Sequence, residues 1–433
     1  MKRIALFALT VSAASPAAAF DIYVTSDSGA KDVAEACVLR DAIAYANSGV
    51  PAGGCGTLSA APTANAPTTP GVGNRIFLPP GATITLTGVD DLDRNVGLPA
   101  ISTVLTINGN GSTIQRDPAI ACVHDGMVEP GEFGLIYNES GLSLNELTLR
   151  GGCADGTTGY GGAVNNAGRL TLGGVVLDEN YAQFSGGAVY SAGYAGTDGQ
   201  VSVWESVATA NVARDGGAFF VGGSTGALSV NASVFELNSA SQYFSGGALH
   251  LSIAAQANIV NSTFAMNSAG SGGAIQSEGQ LALSFVTLAE NSTSSGSGGA
   301  LQIGASGAVQ QLTLKSNVFA DNAGDGVGNC QFGGGNVTLA GANLSSDGSC
   351  SGFSLASTAA GLQPLAAYGR TALYALSPGS PAVDGAVECS DANGNSVAQD
   401  QRGQSRPQGA ACDLGAFELD DRVFAGTFEP IIN

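Results

Sequence analysis

The chain has 433 residues, of which 64 are glycine, and its formal net charge at pH 7 is −20. Acidic residues outnumber basic residues by 35 to 15, which argues against nucleic acid and anionic membrane surfaces as partners because like charges repel. The glycine content argues against a helical protein, because glycine destabilises a helix interior by about 1 kcal/mol relative to alanine.

The first 19 residues have the features of a secretory signal peptide. Lys2 and Arg3 precede the apolar run 4–11, and Ala17–Ala19 supplies the small residues that precede a cleavage site. The apolar run is too short to cross a membrane, and no later stretch is long enough to do so. We therefore predict an exported protein, secreted or at the cell surface, with a mature net charge of −22 after the loss of Lys2 and Arg3.

Residues 20–73 are predicted to form an N-terminal cap followed by a linker. Apolar residues recur at helical spacing after Cys37 and predict a short amphipathic helix: Val38, Leu39, Ala42, Ile43 and Ala46. We interpret Arg40 and Asp41 as structural or solvated residues of this helix. The stretch 60–73 is rich in alanine, proline and threonine, which is typical of a loop or linker.

Three carboxylates lie in a loop between the first two alternating segments: Asp90, Asp91 and Asp93. Oxygen ligands from a loop are those that Ca²⁺ prefers, but the pattern of an EF-hand is absent. A calcium site and a solvated loop both remain open here, and no other cofactor is predicted.

Gly-Gly-Ala followed by an apolar residue recurs six times between residues 161 and 301. The first glycines are Gly161, Gly186, Gly216, Gly246, Gly272 and Gly298, at intervals of 25 to 30 residues. Runs with an apolar residue at every second position, such as 281–288, lie between the copies. This period, combined with strand-like alternation, predicts a β-solenoid in which each repeat forms one coil.

An asparagine ends the alternating run of each repeat: Asn180, Asn211, Asn238, Asn267, Asn291 and Asn322. Asparagine tolerates the left-handed backbone conformation of a turn, and its amide can bond the amide of the next coil, about 4.8 Å away. We therefore predict a structural asparagine ladder rather than a catalytic row.

The cysteines lie outside the regular repeats, at Cys37, Cys55, Cys122, Cys153, Cys330, Cys350, Cys389 and Cys412. An even count in an exported chain predicts four disulfides, although sequence alone permits about 105 pairings. We predict that nearest neighbours pair: 37–55, 122–153, 330–350 and 389–412. No metal site is predicted from these residues, because no close cysteine pair occurs and the chain has only two histidines, His124 and His250.

Three phrases with phenylalanine three residues before asparagine accompany the glycine motif: 235–238, 264–267 and 319–322. Together they resemble the repeats of polymorphic outer-membrane proteins. The resemblance covers roughly 150–350. It implies a right-handed parallel β-helix with the pectin-lyase-like fold, on which several adhesins are built, and it carries over no catalytic residue.

Two further motifs resemble segments of bacterial exported proteins. The stretch 37–43 resembles the CSLREA motif that opens many secreted β-helices. The stretches 376–384, 400–403 and 412–418 resemble the choice-of-anchor Q segment, with Tyr374 where a histidine is common. These resemblances imply an exported, surface-associated protein.

The fold that we predict is all-β. It is a right-handed, single-stranded parallel β-helix of about ten coils over residues 74–352. An N-terminal helix cap precedes it, and a disulfide-tied C-terminal cap lies within residues 353–433. The oligomeric state is not predicted.

A ligand-contacting face is predicted where aromatic residues precede the glycine corners. Phe184 and the pair Tyr243 and Phe244 flank Arg214 and Asp215, so Phe184 and Phe244 should lie two coils apart, about 10 Å. Aromatic faces at this interval suit a sugar ring or a protein partner. The alternative is that these rings pack only against their own loops.

The predicted function is a non-catalytic, adhesive or structural protein that contacts a glycan or a protein. The alternative is a carbohydrate-active enzyme, a polysaccharide lyase or glycoside hydrolase on a pectin-lyase-like fold. Carboxylates recur before the turn asparagines, at Asp178, Glu179, Glu236, Glu290 and Asp321. Exposed carboxylates that face one groove, or a cation site in that groove, would favour the enzyme. Exposed aromatic residues would favour the binding protein.

Overall fold

The computed structural model describes residues 20–29, 36–56, 73–193, 198–294, 298–304, 310–324 and 328–420. The predicted signal peptide and most of the predicted linker lie outside the described residues. The described chain is an all-β parallel solenoid of about nine turns with an α-helix, Leu39–Ser48, at its N-terminal end. The predicted fold class is thereby confirmed. Within these ranges, no helix has the length and apolar character that a membrane span requires.

Each regular coil crosses a long sheet twice, so this sheet consists of two stacks of strands. The first stack contains Asp21–Tyr23, Asn74–Phe77, Leu105–Arg116, Gly141–Arg150, Arg169–Gly173, Gln200–Trp204, Ala227–Asn231, Gln256–Val260, Gln280–Ser284, Gln311–Lys315 and Asn336–Leu339. The second stack contains Thr83–Leu86, Val176–Asp178, Val207–Thr209, Val234–Glu236, Thr263–Ala265, Thr287–Ala289, Val318–Ala320, Leu344–Ser345 and Leu355–Ala356. The two longest strands, Leu105–Arg116 and Gly141–Arg150, run through both stacks.

Two shorter sheets complete each coil. The six-stranded sheet follows the asparagine turns and contains Cys153–Ala154, Tyr181–Ser185, Val212–Asp215, Ser239–Ala240, Ser268–Ala269 and Ser292–Thr293. The eight-stranded sheet follows the glycine corners and contains Ile136–Asn138, Val164–Asn166, Val189–Ala192, Phe219–Gly222, Leu249–Leu251, Ile275–Ser277, Leu301–Ile303 and Cys330–Phe332. A separate antiparallel hairpin joins Ala366–Tyr368 to Thr371–Leu373.

The core is a set of apolar columns, because equivalent positions of successive coils pair in register. Val189 pairs with Phe219, Phe219 with Leu249, and Leu249 with Ile275, and all four side chains are buried. Side chains alternate across a strand, so the residue after each of these points outward. The alternation seen in the sequence therefore separates the interior from the surface at every coil.

The paired glycines serve two different purposes at each corner. Gly246 has a φ of +71°, a conformation that side chains with a Cβ rarely adopt. A Cβ on Gly247 would lie 2.1 Å from the carbonyl oxygen of Gly273, so the second glycine allows the next coil to approach. Ala248, which follows, is fully buried.

The four disulfides join neighbouring cysteines, as predicted: Cys37–Cys55, Cys122–Cys153, Cys330–Cys350 and Cys389–Cys412. The helix Leu39–Ser48 lies over the first strands with its predicted apolar side chains buried. Arg40 is buried as well and donates a hydrogen bond to the Gly88 carbonyl, which is a structural role.

Residues 357–420, which we term the flanking segment, lie against the side of the second stack. Leu373, Leu414 and Phe417 belong to one buried cluster with Ala289 and Val318 of the coils. The backbone amide of Gly415 donates to the Ser316 carbonyl at 2.8 Å, and Asn261 donates to the Gln399 carbonyl at 2.7 Å. The predicted C-terminal cap therefore covers a side of the solenoid as well as its last coil.

Candidate functional site

The predicted ligand-contacting residues come together where the six-stranded sheet meets the glycine corners. Phe184 lies in Tyr181–Ser185, and Arg214 and Asp215 end the next strand of the same sheet. Phe244 precedes the corner of the following coil. Because the coils are parallel and in register, residues at the same place before each corner stack on one another.

Arg214 fills the space between the two phenylalanine rings. Its guanidinium carbon lies 5.2 Å from the ring centroid of Phe184 and 4.7 Å from that of Phe244. Both contacts are within the range of a cation–π interaction. A sugar ring therefore cannot enter between Phe184 and Phe244, and a ligand would contact their outer edges together with Tyr243, which is 80% exposed.

Three more aromatic residues continue this surface onto the eight-stranded sheet. The ring centroid of Tyr160 lies 5.1 Å from that of Phe184 and 4.7 Å from that of Tyr190. Tyr190 stacks on Phe220 at 5.3 Å, and Phe220 contacts the His250 ring at 5.1 Å. We call the whole set the aromatic ridge; it contains Tyr160, Phe184, Tyr190, Arg214, Phe220, Tyr243, Phe244 and His250.

The part of the ridge that lies on the eight-stranded sheet was not predicted from the sequence. Tyr190, Phe220 and His250 each follow the apolar residue after Gly-Gly-Ala, and they are register partners. Because neighbouring side chains of a strand point to opposite faces, the residue after a buried one is exposed. An aromatic residue or histidine at this place in three consecutive repeats was the pattern that would have revealed them.

Asp215 gives the ridge a polar centre. Its Oδ1 lies 3.5 Å from Nδ1 of His250 and accepts a hydrogen bond from the Ser245 backbone amide at 3.2 Å. Its Oδ2 lies 3.8 Å from Nε of Arg214. A carboxylate thus lies between a guanidinium and an imidazole at a partly exposed position, where all three can exchange hydrogen bonds with a ligand.

Two of the carboxylates before the asparagine turns, Asp178 and Glu290, have hydrogen-bonding partners of their own. Asp178 accepts hydrogen bonds from Arg150, and Glu290 accepts one from the Tyr374 hydroxyl of the flanking segment at 3.0 Å. Burial raises the pKa of Glu236, and burial together with Glu290 raises the pKa of Tyr374. The flanking segment therefore covers part of this row of acids.

Two groups of side chains have the composition of metal ligands. Among the described residues, Cys122, Glu132 and Cys153 are grouped closely enough to hold a metal ion, but the two sulfurs are joined in a disulfide. In the loop where a calcium site remained open, Oδ2 of Asp91 lies 3.0 Å from Nη1 of Arg94, and Oδ1 accepts hydrogen bonds from the amides of Asp93 and Arg94. The Arg94 guanidinium thus supplies the positive charge at Asp91 that a calcium ion would provide.

The asparagine turns form a continuous buried ladder. Each Nδ2 donates to Oδ1 of the next asparagine at 2.8 to 3.0 Å, from Asn180 through Asn322. The ladder continues for one further step to Asn329, at 2.9 Å, a residue that was not predicted to belong to it. These amides bond each other and backbone carbonyls inside the solenoid, so they hold the coils together.

Comparisons with protein-family models, with curated proteins and with solved structures found no match.

Proposed function

We propose that this is a secreted or surface-associated, non-catalytic β-solenoid protein that binds a glycan or a protein surface through the aromatic ridge. The observation that carries the proposal is the ridge itself. In a chain with 6% aromatic residues, five aromatic rings and one histidine contact each other or Arg214 along one edge. Tyrosine and arginine are among the residue types that are enriched at the energetic centres of binding surfaces.

The rigidity of the coils supports binding. The ridge residues lie on, or directly beside, strands that pair with a coil on each side, so little conformational entropy is lost when a partner is bound. Four disulfides suit an oxidising compartment outside the cytoplasm. The resemblance to polymorphic outer-membrane repeats and to choice-of-anchor segments supports a surface-associated role.

The enzyme alternative has less support. Paired-acid hydrolysis requires two carboxylates that face one groove at a set separation. Asp178 and Glu290 instead have Arg150 and Tyr374 as partners. The Asp215 and His250 pair could act as a base, and activity assays should therefore accompany the binding assays.

The proposal is tested by screening the mature protein on a glycan array and on immobilised host-surface and bacterial-surface proteins. A variant with Phe184→Ala, Arg214→Ala and Phe244→Ala removes the centre of the ridge. We expect its binding to any ligand found to fall at least about tenfold, a loss of roughly 1.4 kcal/mol or more.

The matched control is Tyr23→Ala, which removes a partly exposed ring that stacks on Phe77 at the N-terminal end of the solenoid, away from the ridge. This variant should bind like the wild-type protein. Unchanged binding by the triple variant, or equal losses in both variants, would overturn the proposal. Cleavage of a polysaccharide that depends on His250 would establish the enzyme instead.

A further inference from the structure

A second surface, separate from the aromatic ridge, lies on the outer face of the first stack. It is a groove of about 400 Å³ that crosses five strands, from Gln200–Trp204 to Gln311–Lys315. At about 4.8 Å per coil, four steps make it about 19 Å long. We call it the amide groove.

The walls of the amide groove carry carboxamide groups. Gln256, Gln280 and Gln311 are register partners and form a column along one side. On the other side lies Asn393 of the flanking segment, which is held in place because the Ala392 amide donates to Ser284 Oγ at 2.8 Å. The flanking segment thus contributes Asn393 to a lining that otherwise belongs to the coils.

No ionisable side chain is among the described residues that line the groove. This is notable in a chain with 35 acidic residues. A charged ligand would leave bulk water without gaining an opposite charge, which is unfavourable. The lining side chains are amides, hydroxyls and small apolar groups, and the ligand that matches them is neutral and rich in hydrogen-bonding groups.

A hydroxyl-rich ligand fits the floor better than a peptide does. The backbone groups of the floor strands already pair with the coils on either side, so no sheet edge is open to an added peptide strand. Amides and hydroxyls both donate and accept, as sugar hydroxyls do. The side-chain oxygen of Asn258 is covered by neighbouring atoms in this floor and has no hydrogen-bond partner among the described residues.

Trp204 adds a stacking surface beside the groove, on the strand that forms one of its ends. It lies two residues after Ser202 on the same outer face, and it is 40% exposed. Its register partner in the preceding coil is Gly173, where a Cβ would come within 2.4 Å of the indole ring. The glycine therefore leaves room for the indole to lie against the coil. Aromatic rings of this kind stack on the apolar faces of sugars.

We propose that the amide groove binds a neutral glycan as an extended chain, with one sugar ring stacked on Trp204. The glycan runs along the solenoid axis from coil to coil. This site does not depend on the aromatic ridge, because the ridge lies on the two shorter sheets and the groove lies on the long sheet.

The chain's single tryptophan allows a direct test. The mature protein is titrated with neutral hexasaccharides (β-1,4-glucan, α-1,4-glucan, β-1,4-mannan and β-1,4-xylan) and with a polygalacturonate hexasaccharide as the charged comparison. We expect a saturable change in tryptophan emission with at least one neutral glycan and none with the charged one. Calorimetry on the same samples measures the affinity independently of the fluorophore.

Two variants locate the site. The double variant Gln256→Ala and Gln280→Ala removes exposed amides, and Ser229→Phe places a ring in the floor; each should weaken binding at least about tenfold. The matched control is Ser143→Phe, which adds a ring to the first stack at a residue two coils before Ser202 in register, outside the groove. It should bind normally.

Three outcomes would overturn the proposal. They are a lack of binding by every neutral hexasaccharide, equal or tighter binding of polygalacturonate, and normal binding by both groove variants. The triple variant of the aromatic ridge should retain binding in the groove. Its failure to do so would assign the glycan to the ridge, so the two proposals stand or fall separately.

Discussion

Single side chains hold neighbouring coils together at every corner of the solenoid. At the asparagine turns, the amide of Asn238 links the coils before and after it. At the bend between the first and second stacks, the hydroxyl oxygens of Ser206 and Ser233 each accept a hydrogen bond from a backbone amide of the preceding coil. Asn317 and Asn343 occupy the equivalent position later in the chain and bond each other. Buried backbone groups at a corner need such partners because they cannot reach water.

Replacing Asn238 with alanine should destabilise the protein by about 3 kcal/mol. Its Nδ2 donates to the Ala208 carbonyl and to Asn267, both at 2.9 Å, and its Oδ1 accepts from Asn211. The substitution leaves these buried groups unpaired. Urea denaturation measures the loss, and Asn231→Ala, at an exposed position on the outside of the same coil, is the control. Similar values for the two variants would contradict a stabilising role for the ladder.

At the scale of one element, the glycine corner shows why the motif needs two glycines in a fixed order. The first provides the left-handed backbone, and the second gives room to the carbonyl of the next coil. The alanine that follows is small enough to turn inward. The apolar residue after it begins a strand of the eight-stranded sheet.

A comparison of two glycines separates backbone strain from crowding. Gly246→Ala and Gly394→Ala both place a Cβ on a residue with positive φ. A Cβ on Gly246 would lie 2.2 Å from the Leu249 carbonyl oxygen, whereas a Cβ on Gly394 has no neighbour within 4 Å. We expect Gly394→Ala to cost about 1–2 kcal/mol and Gly246→Ala at least about twice as much. Equal changes in the free energy of unfolding would show that backbone strain alone accounts for the loss of stability and that crowding adds nothing to it.

At the scale of the whole molecule, the flanking segment joins coils that are distant in the chain. Arg370 pairs with Glu146 at 3.0 Å, and Tyr374 reaches Glu290. Inside the segment, the fully buried Arg406 pairs with Glu418 at 2.8 Å. Asp413 lies in the same cluster and accepts hydrogen bonds from the amides of Asp384 and Leu419.

The stability of the docked segment should fall as pH rises from about 4 to about 7. Burial raises the pKa of Asp413 to about 7, and burial also raises the pKa of Glu418. Between the unfolded and folded pKa values, the folded protein binds a proton that the unfolded chain has released, so raising the pH favours unfolding. Thermal unfolding followed from pH 4 to pH 8 measures this slope.

Asp413→Asn should reduce the slope, because its neutral side chain cannot titrate. Asp93→Asn removes an exposed acid and should keep the wild-type slope. A wild-type slope in Asp413→Asn, or a melting temperature that rises with pH, would contradict the prediction.

The sequence by itself determined the solenoid, the glycine corners, most of the asparagine ladder and the disulfide partners. These features recur once per coil or link cysteines close in sequence, and a repeating pattern reports directly on contacts between equivalent positions. It also identified Phe184, Arg214, Asp215 and Phe244 as neighbours, since residues before successive corners must stack.

Only the tertiary structure decided the features that do not repeat. The insertion of Arg214 between two rings depends on side-chain direction, and the place of Asn329 in the ladder depends on an irregular last coil. The docking of the flanking segment, which brings Asn393 to the amide groove, joins residues more than a hundred positions apart. Such contacts depend on the shapes and the unpaired polar groups of two surfaces that exist only once the chain has folded. No local pattern in the sequence predicts them.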